Sequence, residues 1–340
     1  MFEGRPFAKA FWAALTFNSI VFLQGFALFG AIYAALPRII AIPFILGYAV
    51  NMFRSKAQHS GALKARWWTE SPIYAAALEY FGSRVALPDS LQLREDKQYL
   101  FGLHPHAVHM IGSCNFNWTH PANAVYRKFP GVVERLRCGA ASVLWYVPYV
   151  RESLLWAGWI DVGRRTLEKH LSEGANIGII IGGEQETLVT ENGKDKVVLG
   201  GRKGFVRLAM RHGAHLVPTY TFNLNSSFSF HPGLLRAPRV ALQRMFQVCI
   251  PVTFGRWGTP MPYPTPGLLF VIGEPIEVPA KSADSGKLDE AIVDELHAKY
   301  VAALQKLFEE FKTEAGYPAH AQLEIVDAPE ANRVPAKRQT

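Results

Sequence analysis

The chain has few cysteines and few acids, and several catalytic signatures are missing. Cys114, Cys138 and Cys249 are the only cysteines in 340 residues, they lie far apart, and no C-x-x-C occurs. That excludes zinc fingers, thioredoxin-like redox motifs and a disulfide scaffold. No G-x-S-x-G occurs, which removes the usual serine-hydrolase elbow. Gly200-Gly201 and Gly204 are followed by no Lys-Ser/Thr, so there is no P-loop. There is no internal repeat, heptad seam or low-complexity run, and basic residues are not interleaved with aromatics as in nucleic-acid binders. Lys and Arg number 36 against 28 Asp and Glu, a net charge of +8. Only 19% of residues are charged and 49% are hydrophobic, an oily balance for a purely soluble enzyme. A basic, oily chain of this kind points to membranes or anionic ligands.

The oil is concentrated near the N-terminus. Residues 10–53 contain a single charge, Arg38, between uncharged runs of 28 residues (Ala10–Pro37) and 15 residues (Ile39–Phe53). As helix, the 44 residues would extend roughly 66 Å, about two crossings of a 30 Å hydrocarbon core. The run is too long for a secretory leader. Arg5 and Lys9 precede it, and Arg54, Lys56, Lys64 and Arg66 follow it. Because positive flanks stay cytoplasmic, the pattern favours a hairpin that enters and returns, turning near Pro37-Arg38 or Gly30. One span plus an interfacial segment is the alternative. The expected organisation is a cytosolic 1–9, a membrane hairpin over 10–53, a catalytic α/β domain over 54–325 and a flexible tail over 326–340.

The body reads as one α/β domain around a central mixed sheet. Strand-like runs are Gln98–Leu103, Asn176–Ile181, His215–Tyr220 and Leu268–Ile272. Arg202–His212 reads as a helix closed by Gly213. Leu288–Lys312 reads as a long amphipathic helix, with Leu288, Ile292, Leu296, Tyr300, Leu304, Leu307 and Phe311 on a core-facing stripe. Residues 223–266 carry seven prolines and read as a long lid or substrate loop.

Three motifs carry candidate chemistry. His104-Pro105-His106-Ala107 follows the YLFGL strand, where an imidazole at a strand end suits a general base near neutral pH. A pair of hydrogen-bonded structural histidines gives the same spacing. With His109 the motif also reads H-x-H-x-x-H, the basis of a membrane-anchored metal-hydrolase alternative, although Val108 stands where such a site would use an aspartate. Gly182-Gly183-Glu184-Gln185-Glu186 follows the second strand, at the strand end where α/β domains place sites. Glu186 there would orient a histidine and support its protonated form; Glu184 is an equal contender by spacing, and a solvated turn acid is the ordinary alternative. Arg202, Lys203 and Arg207 at a helix start suit phosphates, or simply form a basic solvated face.

Taken in order, these segments resemble the type-2 diacylglycerol acyltransferase family, which includes monoacylglycerol and wax-alcohol acyltransferases. The resemblance is carried by YLFGLHPHAVHMIGSCNF, KFPG (128–131), YVRESLLWAGWIDVGR (149–164), IIGGEQETL (180–188), GRKGFVRLAMRHGAHLVPTYTF (201–222), VIGEPIEVP (271–279) and VDELHAKYVAALQKLFEEFK (293–312). It runs to about Pro318. Two positions depart from the family pattern: Ala107 replaces the glycine of its HPHG block, and Asn223-Leu224-Asn225 replaces Gly-Glu-Asn. The resemblance implies acyl transfer from acyl-CoA to a lipid hydroxyl, foremost diacylglycerol, with monoacylglycerol, a wax alcohol or a sterol as alternatives. It implies His106 as base, Glu186 as its support and His104 as a further catalytic residue that positions the loop or substrate, with Pro105 and Ala107 as substrate-binding residues. Arg202, Lys203 and Arg207 are expected at the CoA phosphates, on charge alone. No metal and no cofactor beyond the acyl-CoA co-substrate is expected. The expected partners are acyl-CoA, the neutral-lipid acceptor and the bilayer, with room for a homo-oligomer and none for nucleic acid. The expected residence is the endoplasmic reticulum membrane or a lipid droplet, with the catalytic domain facing the cytosol. Ala107 also admits a catalytically inactive, lipid-binding relative.

Overall fold

The computed structural model describes residues 21–106, 120–121, 123–191, 193–231, 233–246, 252–259, 261–264, 267–279 and 288–327. The main helices are α1 (Val21–Ala35), α2 (Arg38–Arg54), α3 (Pro72–Tyr80), α4 (Val150–Trp156), α5 (Arg164–Ser172), α6 (Gly204–His212), α7 (Arg236–Phe246) and α8 (Glu290–Phe311). The strands are β1 (Arg84–Ala86), β2 (Tyr99–His104), β3 (Leu136–Ala140), β4 (Ile160–Asp161), β5 (Asn176–Ile180), β6 (Asp195–Gly200), β7 (His215–Phe222), β8 (Ser229–Phe230), β9 (Thr253–Phe254), β10 (Leu269–Ile272) and β11 (Leu323–Asp327).

Seven strands form the central sheet in the order β1-β10-β7-β2-β5-β3-β4. The five from β7 to β4 are mutually parallel, β10 runs antiparallel to β7, and β1 runs parallel to β10. The sheet is therefore mixed, as the sequence led us to expect. Parallel strands buried on both faces need apolar residues at consecutive positions. YLFGLH meets that condition, and all six of its residues are buried. Leu100, Ile177, Leu216, Tyr220 and Val271 face a core shared with α5, α6 and α8. Phe101, Cys138, Val217 and Phe270 face the opposite core, with Val133 and Trp145.

α8 starts on an Asp289 cap, whose side chain accepts the Ala291 N–H at 2.9 Å. It buries Leu296, Tyr300, Leu304 and Leu307 on one stripe, matching the periodicity. α6 ends at Gly213 in the left-handed region (φ 68°), where glycine carries no steric cost. The C-terminal strand β11 pairs in parallel with β6 in a separate two-stranded sheet. Ordered strand therefore reaches Asp327, two residues into the segment expected to be a tail. The stretch expected to be one irregular loop, 223–266, holds α7 and the β8–β9 ribbon.

The expected hairpin needs a finer description. α1 and α2 meet at Leu36-Pro37, and Phe29 packs on Tyr48 with ring centroids 4.9 Å apart. The described parts of α1 and α2 are 15 and 17 residues long, and no helix of the described residues is long and apolar enough to cross a membrane. A spanning hairpin is therefore not seen, and residues 1–20 lie outside the described part. The two helices sit on the domain edge, where Gly25 lies against the Pro148 main chain and the Tyr48 hydroxyl donates to Glu152 at 2.7 Å. Their remaining surface is apolar and uncovered, with Phe26, Ile39, Ile40, Phe44, Leu46 and Phe53 exposed.

Candidate active site

Parallel strands place their carboxyl ends on one edge. β2 and β5 are paired neighbours, with Leu103 opposite Ile180. The HPH turn and the Gly-Gly-Glu-Gln-Glu turn therefore leave the sheet side by side. In open α/β sheets, sites form at that edge.

Glu186 is the joint between the two turns. Its side chain is 1% exposed. One carboxylate oxygen accepts the main-chain N–H of His106, and the other accepts the Val198 N–H from β6 at 2.9 Å. Burial drives its pKa up to about 7, against the pull of those two N–H groups and of Arg202. Gly182 stands so close that a Cβ there would run into the Glu186 carboxyl. Glu184, two residues earlier, is only half-buried and accepts from Gln243 of α7 at 3.2 Å. The structure thus separates two acids that spacing left equal: Glu186 holds the His106 main chain and Glu184 does not.

His104 and His106, two residues apart, have different surroundings. His104 is 2% exposed, with its Nε2 3.0 Å from the Tyr300 hydroxyl of α8. Burial pushes its pKa down to about 3, so it is a neutral imidazole at any physiological pH. Its Nδ1 has no hydrogen-bond partner among the described residues. Gly102 makes the approach possible, because a Cβ there would strike the Tyr300 ring and Ile181. His106 is half-exposed beyond a buried, cis-linked Pro105. Ala107 and His109 lie outside the described residues, so the H-x-H-x-x-H reading does too. Among the described residues, no three His, Cys, Asp or Glu side chains gather as a metal-ligand set.

The three cations diverge. Arg202 lies under the second turn, donating to the Ile181 carbonyl at 3.0 Å and the Gln185 side chain at 2.6 Å, with its pKa lowered by burial. Lys203 and Arg207 instead lie along α8, paired with Asp294 at 2.6 Å and with both carboxylate oxygens of Glu290 at 3.0 and 2.6 Å. Only Arg202 touches the turn that bears Glu186.

Composition gave no hint of a further polar group at the end of β7. Asp195 Oδ1 accepts from the hydroxyls of Tyr220 at 2.8 Å and Tyr317 at 3.3 Å, and burial raises its pKa. The Tyr317 hydroxyl in turn accepts the Asn223 N–H at 3.0 Å. The signal available in sequence was a tyrosine inside an apolar strand, since a buried tyrosine needs a partner for its hydroxyl.

The sequence that builds this strand-end turn and its buried glutamate places the chain in a known family. A family model described as "Diacylglycerol acyltransferase" matches residues 31–326, and the chain belongs to that family. It is 34% identical over 299 residues to diacylglycerol O-acyltransferase 2 of Bos taurus, covering 83% of this chain and 79% of that protein. It is 31% identical to two human proteins: 2-acylglycerol O-acyltransferase 3, over 84% of each chain, and acyl-CoA wax alcohol acyltransferase 1, over 80% of this chain and 83% of that one. Among solved structures, the 1-acyl-sn-glycerophosphate acyltransferase PlsC from Thermotoga maritima aligns over 89% of this chain and 99% of that one. That likeness is loose, at TM-score 0.40 and 12% identity.

Proposed function

We propose that this protein is an acyl-CoA-dependent O-acyltransferase whose acceptor is a lipid hydroxyl, with diacylglycerol as acceptor and triacylglycerol as product. The observation that carries the reading is the Glu186–His106 joint at the ends of β2 and β5, in a chain of this family. His106 takes the acceptor's hydroxyl proton as the oxygen attacks the thioester carbonyl. The tetrahedral oxyanion collapses, the C–S bond breaks, and the CoA sulfur leaves with the proton held by the imidazolium. Glu186 acts through the main chain, fixing where the His106 imidazole starts. Buried and neutral, His104 is suited to shaping the turn through Tyr300 rather than to exchanging protons at neutral pH. Arg202 stiffens the second turn. Contact of Lys203 and Arg207 with CoA phosphates would require exchanging Asp294 and Glu290 for phosphate. Each step balances with acyl-CoA and the acceptor alone, without a metal or redox group.

The exposed apolar surface of α1 and α2 supports an anchor in the bilayer where the acceptor resides. Basic residues on both sides of the oily segment support a cytosolic catalytic domain on the endoplasmic reticulum or on lipid droplets. The relatives make monoacylglycerol and wax alcohol the competing acceptors. The test offers labelled long-chain acyl-CoA to membranes carrying the protein, with diacylglycerol, monoacylglycerol, fatty alcohol and sterol in parallel, beside His106→Ala membranes. A His106-dependent triacylglycerol product is expected. Absence of product with every acceptor, from well-expressed protein, overturns the reading.

A further inference from the structure

α7 is built with its polar side inward. Arg239 and Gln243, one helical turn apart, are 6% and 1% exposed. The outward stripe is Ala237, Pro238, Ala241 and Met245, all exposed, and Leu234 extends it just before the helix. A helix on a water-facing surface shows the reverse arrangement, apolar inward and polar outward. Met245 is 72% exposed, so this stripe is uncovered.

The surface continues beyond the helix. The Leu234 N–H bonds to the His231 carbonyl at 3.0 Å, and the His231 ring lies against Phe254 of β9. Three residues on, Trp257 is 70% exposed, with the Arg256 guanidinium 4.6 Å above its ring. Within this segment charge is one-sided, although Glu184 and Glu191 border α7 from neighbouring elements. From Lys196 to Gly273 the chain contains no Asp or Glu, while Arg236, Arg239, Arg244 and Arg256 fall between 223 and 273. An aqueous protein partner would leave the apolar stripe to be matched residue by residue. A bilayer surface supplies both chemistries at once, acyl chains for the stripe and phosphate headgroups for the exposed Arg236 and the partly exposed Arg256. Trp is enriched at that interface, and Lys and Arg are in excess on its cytoplasmic side.

We propose that α7 and the β8–β9 ribbon form a second lipid-facing surface, separate from α1 and α2. On this surface α7 lies in the headgroup layer of an anionic membrane, with Ala237, Ala241 and Met245 toward the acyl chains. Its inward face meets Glu184, so the same helix touches the Gly182–Glu186 turn through Gln243. The orientation does not depend on the acyl-transfer reading, and it is tested without turnover.

The full-length protein is reconstituted in vesicles of phosphatidylcholine with phosphatidylserine. An environment-sensitive fluorophore is placed at Met245→Cys or, separately, Ala241→Cys, with Lys169→Cys on exposed α5 as reference. Signal from the labelled parent is subtracted. Vesicle binding itself can come from α1 and α2, so the readout is depth at α7. The expected result is a blue shift, quenching by bromolipid and protection from iodide at 245 and 241, but not at 169. Iodide access at both α7 positions equal to that at 169 overturns the proposal. Bromolipid quenching unchanged when phosphatidylserine is omitted overturns its electrostatic half.

Discussion

The Tyr300 hydroxyl of α8 reaches His104 Nε2 at 3.0 Å over Gly102, whose missing side chain leaves the space. Gly102→Ala should therefore push Tyr300 off the histidine. Overpacking of this kind costs about 1–3 kcal/mol. Tyr300→Phe keeps the packing but takes away the partner of His104 Nε2, a cost of about 1–3 kcal/mol for a buried group. Both variants should melt earlier in detergent and lose acyl transfer, with Tyr300→Phe retaining more of its fold. Wild-type activity in Tyr300→Phe would show that the contact does not serve the turn.

Glu186 should make stability depend on pH. Its folded pKa, up to about 7, lies above the ordinary 4.5. An acid raised in this way favours the folded state at low pH, and the advantage is lost as pH rises from about 4.5 through 7. The loss approaches about 3 kcal/mol, because each tenfold change in proton affinity is worth about 1.4 kcal/mol. Thermal unfolding of wild type and Glu186→Gln across that range should show the wild type falling relative to the variant and then levelling off above pH 7. Parallel curves would place the titration elsewhere.

The cations should separate. Lys203→Gln and Arg207→Gln each remove a partly exposed ion pair, worth about 0–1 kcal/mol, so stability should scarcely change. If their partners remain Asp294 and Glu290 in the working enzyme, KM for acyl-CoA stays near its wild-type value; a marked rise would place phosphate there. Arg202→Gln should instead lower kcat, because it unpins the turn that carries Glu186. Initial rates against acyl-CoA concentration distinguish the two patterns.

Asn223 holds a left-handed backbone (φ 62°), and its side-chain amide donates to Gly267 and Ala315 carbonyls, both at 2.9 Å. Asn223→Ala loses the bonds and strains the backbone, at an expected cost of about 1–3 kcal/mol. Asn223→Gly relieves the strain alone and should fall between wild type and Ala in denaturant unfolding.

The strongly periodic parts of the chain are legible in the sequence itself. NIGII, the helix ending at Gly213 and the Leu296–Leu307 stripe each declare themselves within a few residues of their observed ends. The HPH and GGEQE turns stand out in the sequence because each follows an apolar strand. Contacts between distant segments were not legible. Nothing near Val198 announces that its N–H meets Glu186, and nothing near Tyr300 distinguishes its hydroxyl from a purely packed ring. α7 was hidden because Pro238 and a polar inward face obscure the usual helix pattern, and proline is tolerated only in the first turn. Lys203 and Arg207 looked like a phosphate cluster because Glu290 and Asp294 lie more than 80 residues away in sequence.

The β6–β11 pairing links the far end of the described residues to the Glu186 turn. β6 supplies Val198 to Glu186 and Asp195 to Tyr220, and β11 is its partner in a two-stranded sheet. The last described strand is thus a keystone. Without it, β6 would lose its hydrogen-bonded neighbour, the carboxylate one of its two anchors, and the histidine turn its fixed seat. The sensitivity of this enzyme to changes around residues 323–327 should resemble that of the Glu186 turn itself.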